Sequence, residues 1–324
     1  MPNYNGVWSL STHYQAVGSQ NWPVNYVAPT GVFMGGAGGS GVNNMIQTLD
    51  LTSLGNSVDE GNLSYSPAQS PTAVGNSIIA LCAGGQTTAD TRSTSQYTYA
   101  TGGNAVDMHD LHTTNGYMRL AGVSNSTRGI FAGGFGKAAD GPVNTMTYIT
   151  LGTAAYPTDF GDLTVSRIYV KGSGSDTRAI FGGGNNTSNQ LTNVIDYVTI
   201  ATTGNAADFG NLLAVNADPA AASNSIRAIW AGSSGQEEVI QYSTIATTGN
   251  AIDFGDLTGG RKEFGAMSSS TRAVFGGGKL ANNTTTTDIQ YVNIASLGNS
   301  QDWGDQAIQA YNFSSTSTSH GGIA

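Results

Sequence analysis

The chain has one cysteine, four histidines and only 10% charged residues in 324 positions. Each scarcity removes a class of function. A single thiol, Cys82, excludes an internal disulfide, and His13, His109, His112 and His320 are too scattered to suggest a zinc ligand set or a catalytic triad. Twelve basic against 21 acidic residues give a net charge of −9. Lysine and arginine nowhere cluster, so the chain cannot sheathe a phosphate backbone, and nucleic acid is not an expected partner. No apolar run approaches a membrane span. The opening MPNYNGVWSL has neither a basic n-region nor an apolar h-region, so membrane insertion and a signal peptide are not expected. Sustained helical periodicity is also missing.

What is abundant is glycine, 45 residues of it, and a repeat. Residues 177–212 read TRAIFGGG, a polar loop, then NVIDYVTIATTGNAADFGNL, and versions recur along the chain. The second glycine of each G-G pair marks the copies at Gly36, Gly85, Gly134, Gly184, the substituted Ser233 and Gly278, at intervals of 49, 49, 50, 49 and 45. Asp59, Asp107, Asp159, Asp208, Asp253 and Asp302 mark them independently, so the count is six. Each copy reads as four strands, placed in the fourth at 167–172 (a), 178–183 (b), 194–201 (c) and 207–212 (d). Strand b is apolar on both sides of its alternation (Ala179, Ile180, Phe181), as in a sheet covered on both faces. Radial stacking of such sheets predicts an all-β, six-bladed β-propeller with four-stranded antiparallel blades. Residues 1–29 fall outside the repeat and read as an N-terminal arm; residues 30–324 form the six-repeat unit. The first copy lacks a strand a, and the chain ends with one, so residues 308–315 are expected to pair near residues 30–36 and close the ring.

The punctuation has local causes. G-G after strand b, as at Gly183 and Gly184, suits crowded backbones where no Cβ fits, and T-G-N between strands c and d suits a tight turn. Cys82 occupies the place of Phe131, Phe181 and Phe275, which predicts a buried thiol. The triplet at Asp208, Phe209 and Gly210 recurs without the glycine-rich loop, lysine or catalytic loop of a kinase, which excludes that reading.

The G-G pairs, an aromatic in strand c (Tyr148, Tyr197, Tyr242, Tyr291) and one in strand d (Phe160, Phe209, Phe254, Trp303) resemble the kelch pattern of β-propellers, with a longer gap between the aromatics. NGVWSL and NWP near the N-terminus, followed by repeats such as DYVTIATTGNAADFG, make the chain similar to kelch-like structural or tail-fibre-like proteins of tailed bacteriophages, particularly those of aquatic bacteria. The resemblance implies a virion component assembled in the host cytoplasm. Its arm, with Trp8 and Trp22 as anchors, would attach to other virion proteins within a larger or homo-oligomeric assembly, and its loops would meet a host-surface glycan or receptor.

Three sets of residues are candidates for a site or a network. Arg128, Arg178, Arg227 and Arg272 precede strand b, and with Asp159, Asp208, Asp253 and Asp302 they are expected to form a structural Arg–Asp network between blades, incomplete where Thr30 and Ile79 replace the arginine. Asp107, His109, Asp110 and His112 form the densest group of potential ligands, but strand alternation does not converge them, so no metal or cofactor is expected. The b–c loops vary while the c–d turns repeat, so recognition is expected at the varied end, with Lys137, Asn185, Asn186, Asn189, Gln190, Lys279, Asn282 and Asn283 as binding candidates. No serine elbow or catalytic carboxylate pair stands out, and no enzymatic activity is expected. The alternatives are a glycan-binding propeller independent of a virion and a propeller enzyme.

Overall fold

The computed structural model describes residues 28–319 apart from 39–40, 68–69, 87–91, 112–116, 137–138 and 155; Trp8, Trp22, His112 and Lys137 therefore lie outside the described residues. The described chain is all-β, has no helix, and is propeller-like, with main sheets that are four-stranded and antiparallel. In the sheet of the fourth repeat the strands are Lys171–Gly174, Arg178–Gly182, Thr192–Thr199 and Ala207–Asn216. Strand a thus starts at Lys171 and not at residue 167. Residues 167–170 instead form a turn through Tyr169, whose φ is 57°. The sheet of the first repeat takes its innermost strand from the other end of the chain, with Ser314 opposite Met34 and Ser317 opposite Gly31. That strand is Ser314–Ser317, later than the expected 308–315. Ile308 lies in a turn, where its N–H and C=O each bond the side chain of Gln47 at 3.0 Å.

Apolar residues of each sheet serve two seams. In strand b of the fourth sheet Ala179 and Phe181 pack into a cluster with Val123, Ile130 and Phe160 of the third, while Ile180 packs with Ala228, Trp230 and Ile245 of the fifth. Period-two alternation is therefore used on both faces. Equivalent clusters join the remaining neighbours, including Val274 and Trp303 of the sixth sheet with Phe33 and Leu49 of the first. Burying each such aromatic or branched side chain stabilises by roughly 1.5–3 kcal/mol.

The repeated D-F-G and T-G-N segments meet across these seams. Gly204 of the fourth sheet donates its N–H to the carbonyl of Phe160 in the third at 2.7 Å, and the N–H of Asp162 returns to Asn205 Oδ1 at 3.0 Å. Gly249 and Asn250 engage Phe209 and Asn211 in the same way, Gly298 and Asn299 engage Phe254 and Asp256, and Gly55 and Asn56 engage Trp303 and Asp305. T-G-N is thus not merely a turn: Asn205 and Asn250 are used for their side-chain oxygens and do not adopt positive φ. The strand-d glycine permits the approach, since a Cβ on Gly210 would lie 2.4 Å from the carbonyl oxygen of Gly249. Each clasp also covers the open edge of strand d, which would otherwise template unwanted pairing.

The arginine network takes a form different from the expected one. Arg128 Nη1 donates to the carbonyls of Ile200 and Ala201, both at 2.8 Å, Arg178 to Ile245, Arg227 to Ile294 and Arg272 to Thr52. Each guanidinium reaches the next sheet, but its acceptors are carbonyls. None of the ion pairs among the described residues joins these arginines to Asp159, Asp208, Asp253 or Asp302. The aspartates sit exposed at the strand-d bulge, opposite Thr147, Asp196, Gln241 and Gln290, where the ladder shifts register. The arginines instead lie over the strand-c tyrosines, 4.7 Å from Tyr148 and 4.5 Å from Tyr197, and those rings meet Phe160 and Phe209 edge to face.

Gly210→Ala should destabilise the fold by roughly 1–3 kcal/mol, because the new methyl strikes backbone and the φ of 148° disfavours an L side chain. Denaturant midpoints of the wild type and the variant check this; Gly259→Ala, where no heavy atom lies within 4 Å of the added Cβ, is the control and should be near neutral.

Candidate functional site: a polar rim above the inner strands

The first strands of the six four-stranded sheets, the inner strands, are built from small residues, among them Gly122, Ser124, Gly172, Gly174, Ala222, Ser223, Ser268 and Ser317, which line a polar cavity of about 80 Å³. Small side chains are required where several strands converge. Hydroxyls stitch neighbouring strands together: Ser124 Oγ donates to Gly75, Ser223 to Gly174, Ser268 to Ser223 and Ser317 to Ser268, at 2.6–2.7 Å.

Two residues before each inner strand stands a non-glycine residue in the left-handed region: Ser70, Arg119, Tyr169, Asp218, Glu263 and Asn312, with φ between 42° and 60°. Such a conformation costs about 1–2 kcal/mol per residue relative to an ordinary one, and six aligned instances are a strained feature that the surroundings must hold. The holding element is a chain of backbone hydrogen bonds. Asn312 N–H donates to Glu263, Ser70 to Asn312, Arg119 to Ser70, Tyr169 to Arg119 and Asp218 to Tyr169, at 2.8–3.1 Å. The left-handed turn points each residue's N–H toward one neighbouring repeat and its C=O toward the other.

Chemically the rim is varied: a hydroxyl, a guanidinium, a phenol, two carboxylates and an amide at one structural position. Arg119 lies 4.7 Å from the Tyr169 ring centroid. Lys171 pairs with Asp218 and Lys279 with Glu263, both at 2.9 Å. Burial pushes the Tyr169 phenol above its ordinary pKa, and the carboxylates of Asp218 and Glu263 push the same way against the opposing effect of Arg119. Beneath the rim, Arg167 is wholly buried, donates to Gly183 and Val194 at 2.8 Å and pairs with Asp196. Burial disfavours the charge on both partners, lowering Arg167 and raising Asp196, while their mutual attraction opposes it. Arg261 and Asp288 repeat the pair below Glu263.

The expected loop residues divide into two groups. Asn185 lines a cavity beside the rim and Lys279 pairs with Glu263. Asn186 Oδ1 is consumed by the N–H groups of Ser188 and Gln190, Asn282 Oδ1 by Thr284, and Asn283 Oδ1 by Gln236, so these amides shape their own loops and the neighbouring one. Asn189 and Gln190 are exposed. Among the described residues no group of three or more His, Cys, Asp or Glu side chains is placed to hold a metal ion. Just after strand d of the second sheet, Val106–Asp107, His109 takes the place of the clasp glycine and meets Tyr156, which stands where other copies carry Asn205 or Asn250, with ring centroids 4.9 Å apart and planes tilted by 40°. The rim residues themselves escaped sequence reasoning. Their signal was a repeat column, two positions before strand a, that is polar yet never the same residue.

Cys82 is buried against Ser314 Oγ at 3.3 Å, and burial pushes its thiol from 9.0 to about 11. It should resist alkylation at pH 8 in the native protein and react on denaturation; rapid native labelling would contradict the burial. The folded thiol keeps its proton longer than the unfolded one. Its contribution to stability is therefore present below about pH 9 and lost as the pH rises toward 11. At the rim, Tyr169→Val should destabilise by roughly 1–2 kcal/mol more than Tyr169→Gly, because only glycine adopts the left-handed turn freely. Comparison of the two denaturant midpoints tests this, and an equal loss would place the cost in side-chain contacts alone.

No protein-family model matches the chain and no curated protein matches it, so the rim is interpreted from its own geometry.

Proposed function

We propose that the chain is a closed six-bladed β-propeller acting as a non-enzymatic structural component of a bacteriophage virion, a tail-fibre-like or related appendage protein. Residues 1–29 attach it to other virion proteins, and its varied end meets a host-surface glycan or receptor. The observation that carries the recognition reading is the rim: one structural position, repeated above the inner strands, presents Ser70, Arg119, Tyr169, Asp218, Glu263 and Asn312. A scaffold this regular holds different polar groups at fixed spacing, which suits a polar ligand with several contact points. Six hydrophobic seams, one of them joining the sixth sheet to the first, support closure into six blades. The virion assignment is supported by the resemblance of the repeats and of the N-terminal NGVWSL and NWP segments.

Electron microscopy of virions labelled for this chain is expected to place it on the particle, and its absence from particles would sink the virion reading. Deletion of residues 1–28 should leave a cooperative melt close to that of the full chain while abolishing incorporation. A large loss of stability would instead make those residues part of the fold. Saccharide binding without incorporation would favour a glycan-binding propeller that works outside a virion.

A further inference from the structure

The hydrogen-bonded rim has one missing link. Five of the six left-handed residues donate to the preceding one; Glu263 does not donate to Asp218. Among the described residues neither the N–H of Glu263 nor the C=O of Asp218 makes any hydrogen bond. The cause is visible in the chain. The fifth repeat is short, with 45 residues from Ser233 to Gly278 against 49 or 50 elsewhere, and the deficit falls in its b–c loop: nine residues separate Ser233 from Tyr242, where 13 separate Gly184 from Tyr197. Ser233 also replaces the second glycine of the pair. Its N–H reaches the carbonyl of Arg261 at 3.4 Å, whereas the glycines make the corresponding bond at 2.7–3.1 Å.

Where the link is missing there is a cavity of about 180 Å³, lined by Tyr169, Asn185, Asp218, Ser234, Lys262 and Glu263. Taking about 30 Å³ per water, that is room for roughly six waters or one small polar molecule. Asn185 Oδ1 is buried with no partner. The lining therefore combines an unused backbone donor, an unused backbone acceptor, a free amide oxygen and a phenol. Its charges are balanced. Asp218 and Glu263 are already met by Lys171 and Lys279, and Lys262 adds a further cation, so neither a bare cation nor an anion is strongly favoured.

We infer that this gap is the binding subsite of the rim and that it takes a single uncharged, hydroxyl-rich unit, a sugar residue at the end of a glycan. Each hydroxyl both donates and accepts, which matches a lining that offers both. The two paired carboxylates retain lone pairs for a vicinal diol, the Glu263 N–H and Lys262 supply donors, and the Tyr169 ring offers a face for the apolar side of the sugar. The inference rests on the glycan-recognition reading above and assigns its position.

The test uses the full chain and methyl glycosides of glucose, galactose, mannose, rhamnose and N-acetylglucosamine, read by saturation-transfer NMR and by the backbone amide shift of Glu263. One or more of them should bind and move that amide. Ser234→Phe, at an exposed position, fills the gap without touching the core, and Glu263→Gln removes an ionic acceptor. Each should weaken binding roughly tenfold or more with an unchanged melting temperature. If Glu263→Gln unfolds the protein, Ser234→Phe alone decides. A glycoside that binds with undiminished affinity in Ser234→Phe overturns the subsite and leaves glycan recognition standing elsewhere on the surface. No binding by any glycoside overturns the subsite as well. Host-cell adsorption of particles carrying Ser234→Phe then separates the two readings, since unimpaired adsorption that is blocked by host glycans would leave the broader reading intact.

Discussion

The clasp between one sheet's outer strand and the next sheet's c–d segment is the constraint that sets the spacing of the seams in which it occurs. It requires a glycine on strand d, because the approaching carbonyl of Gly204, Gly249 or Gly298 stands about where a Cβ would be, at 2.4 Å. It also requires an asparagine one residue after the approaching glycine, whose side chain caps a strand-d N–H. With that spacing set, the buried aromatic of strand d packs beneath the neighbour, the strand-c tyrosine meets it edge to face, and the arginine of strand b spans to the next sheet's carbonyls. One motif thus meets three demands at once: it covers an edge, buries an aromatic and satisfies backbone polar groups. The seam between the second and third sheets buries its own apolar cluster without this pair. Its glycine is His109, its asparagine is Tyr156, and a tilted ring contact replaces the hydrogen-bonded pair.

At the centre the constraint is different, because inner strands that converge leave room only for small side chains. Polar stitching then does what apolar packing does between the sheets, through the hydroxyls of Ser124, Ser223, Ser268 and Ser317. Above them the chain turns into each inner strand through a left-handed residue. The strain of that turn is offset by a hydrogen bond to the neighbouring repeat, and the side chain is left free to vary. The proposed function exploits that freedom: regular backbone geometry holds irregular chemistry. The shortened fifth repeat interrupts the regularity, and there the rim opens into a cavity.

Much of the candidate site was invisible to sequence reasoning for a physical reason. Asn186 and Asn282 look like ligand-binding amides, yet their oxygens are spent within their own loops, and composition cannot tell a used hydrogen-bonding group from a free one. The expected Arg–Asp pairing failed similarly. Charges that recur in step suggest partners, but the strand-d bulge turns Asp208 and its equivalents outward, and the carbonyls that do accept from the arginines carry no mark in a sequence. Asn185 and Lys279 were legible as members of the varied end; Tyr169 and Glu263 were not, because a left-handed conformation is expected at glycine, asparagine or aspartate and not at these types.

The sequence by itself determined the repeat, the all-β character, the strand pattern and the burial of strand b, because these follow from local alternation and turn chemistry that each copy states again. It also marked the short fifth repeat. The sequence also pointed to the C-terminal end as the partner of the first repeat; the tertiary structure alone decided where strand a begins, in what register the last strand completes the first sheet, what the glycines of strand d approach, and where the rim is open. Those outcomes depend on atoms brought together from different repeats. The 2.4 Å between an absent Cβ at Gly210 and the carbonyl of Gly249, or the unmade bond between Glu263 and Asp218, exists only once two sheets are side by side.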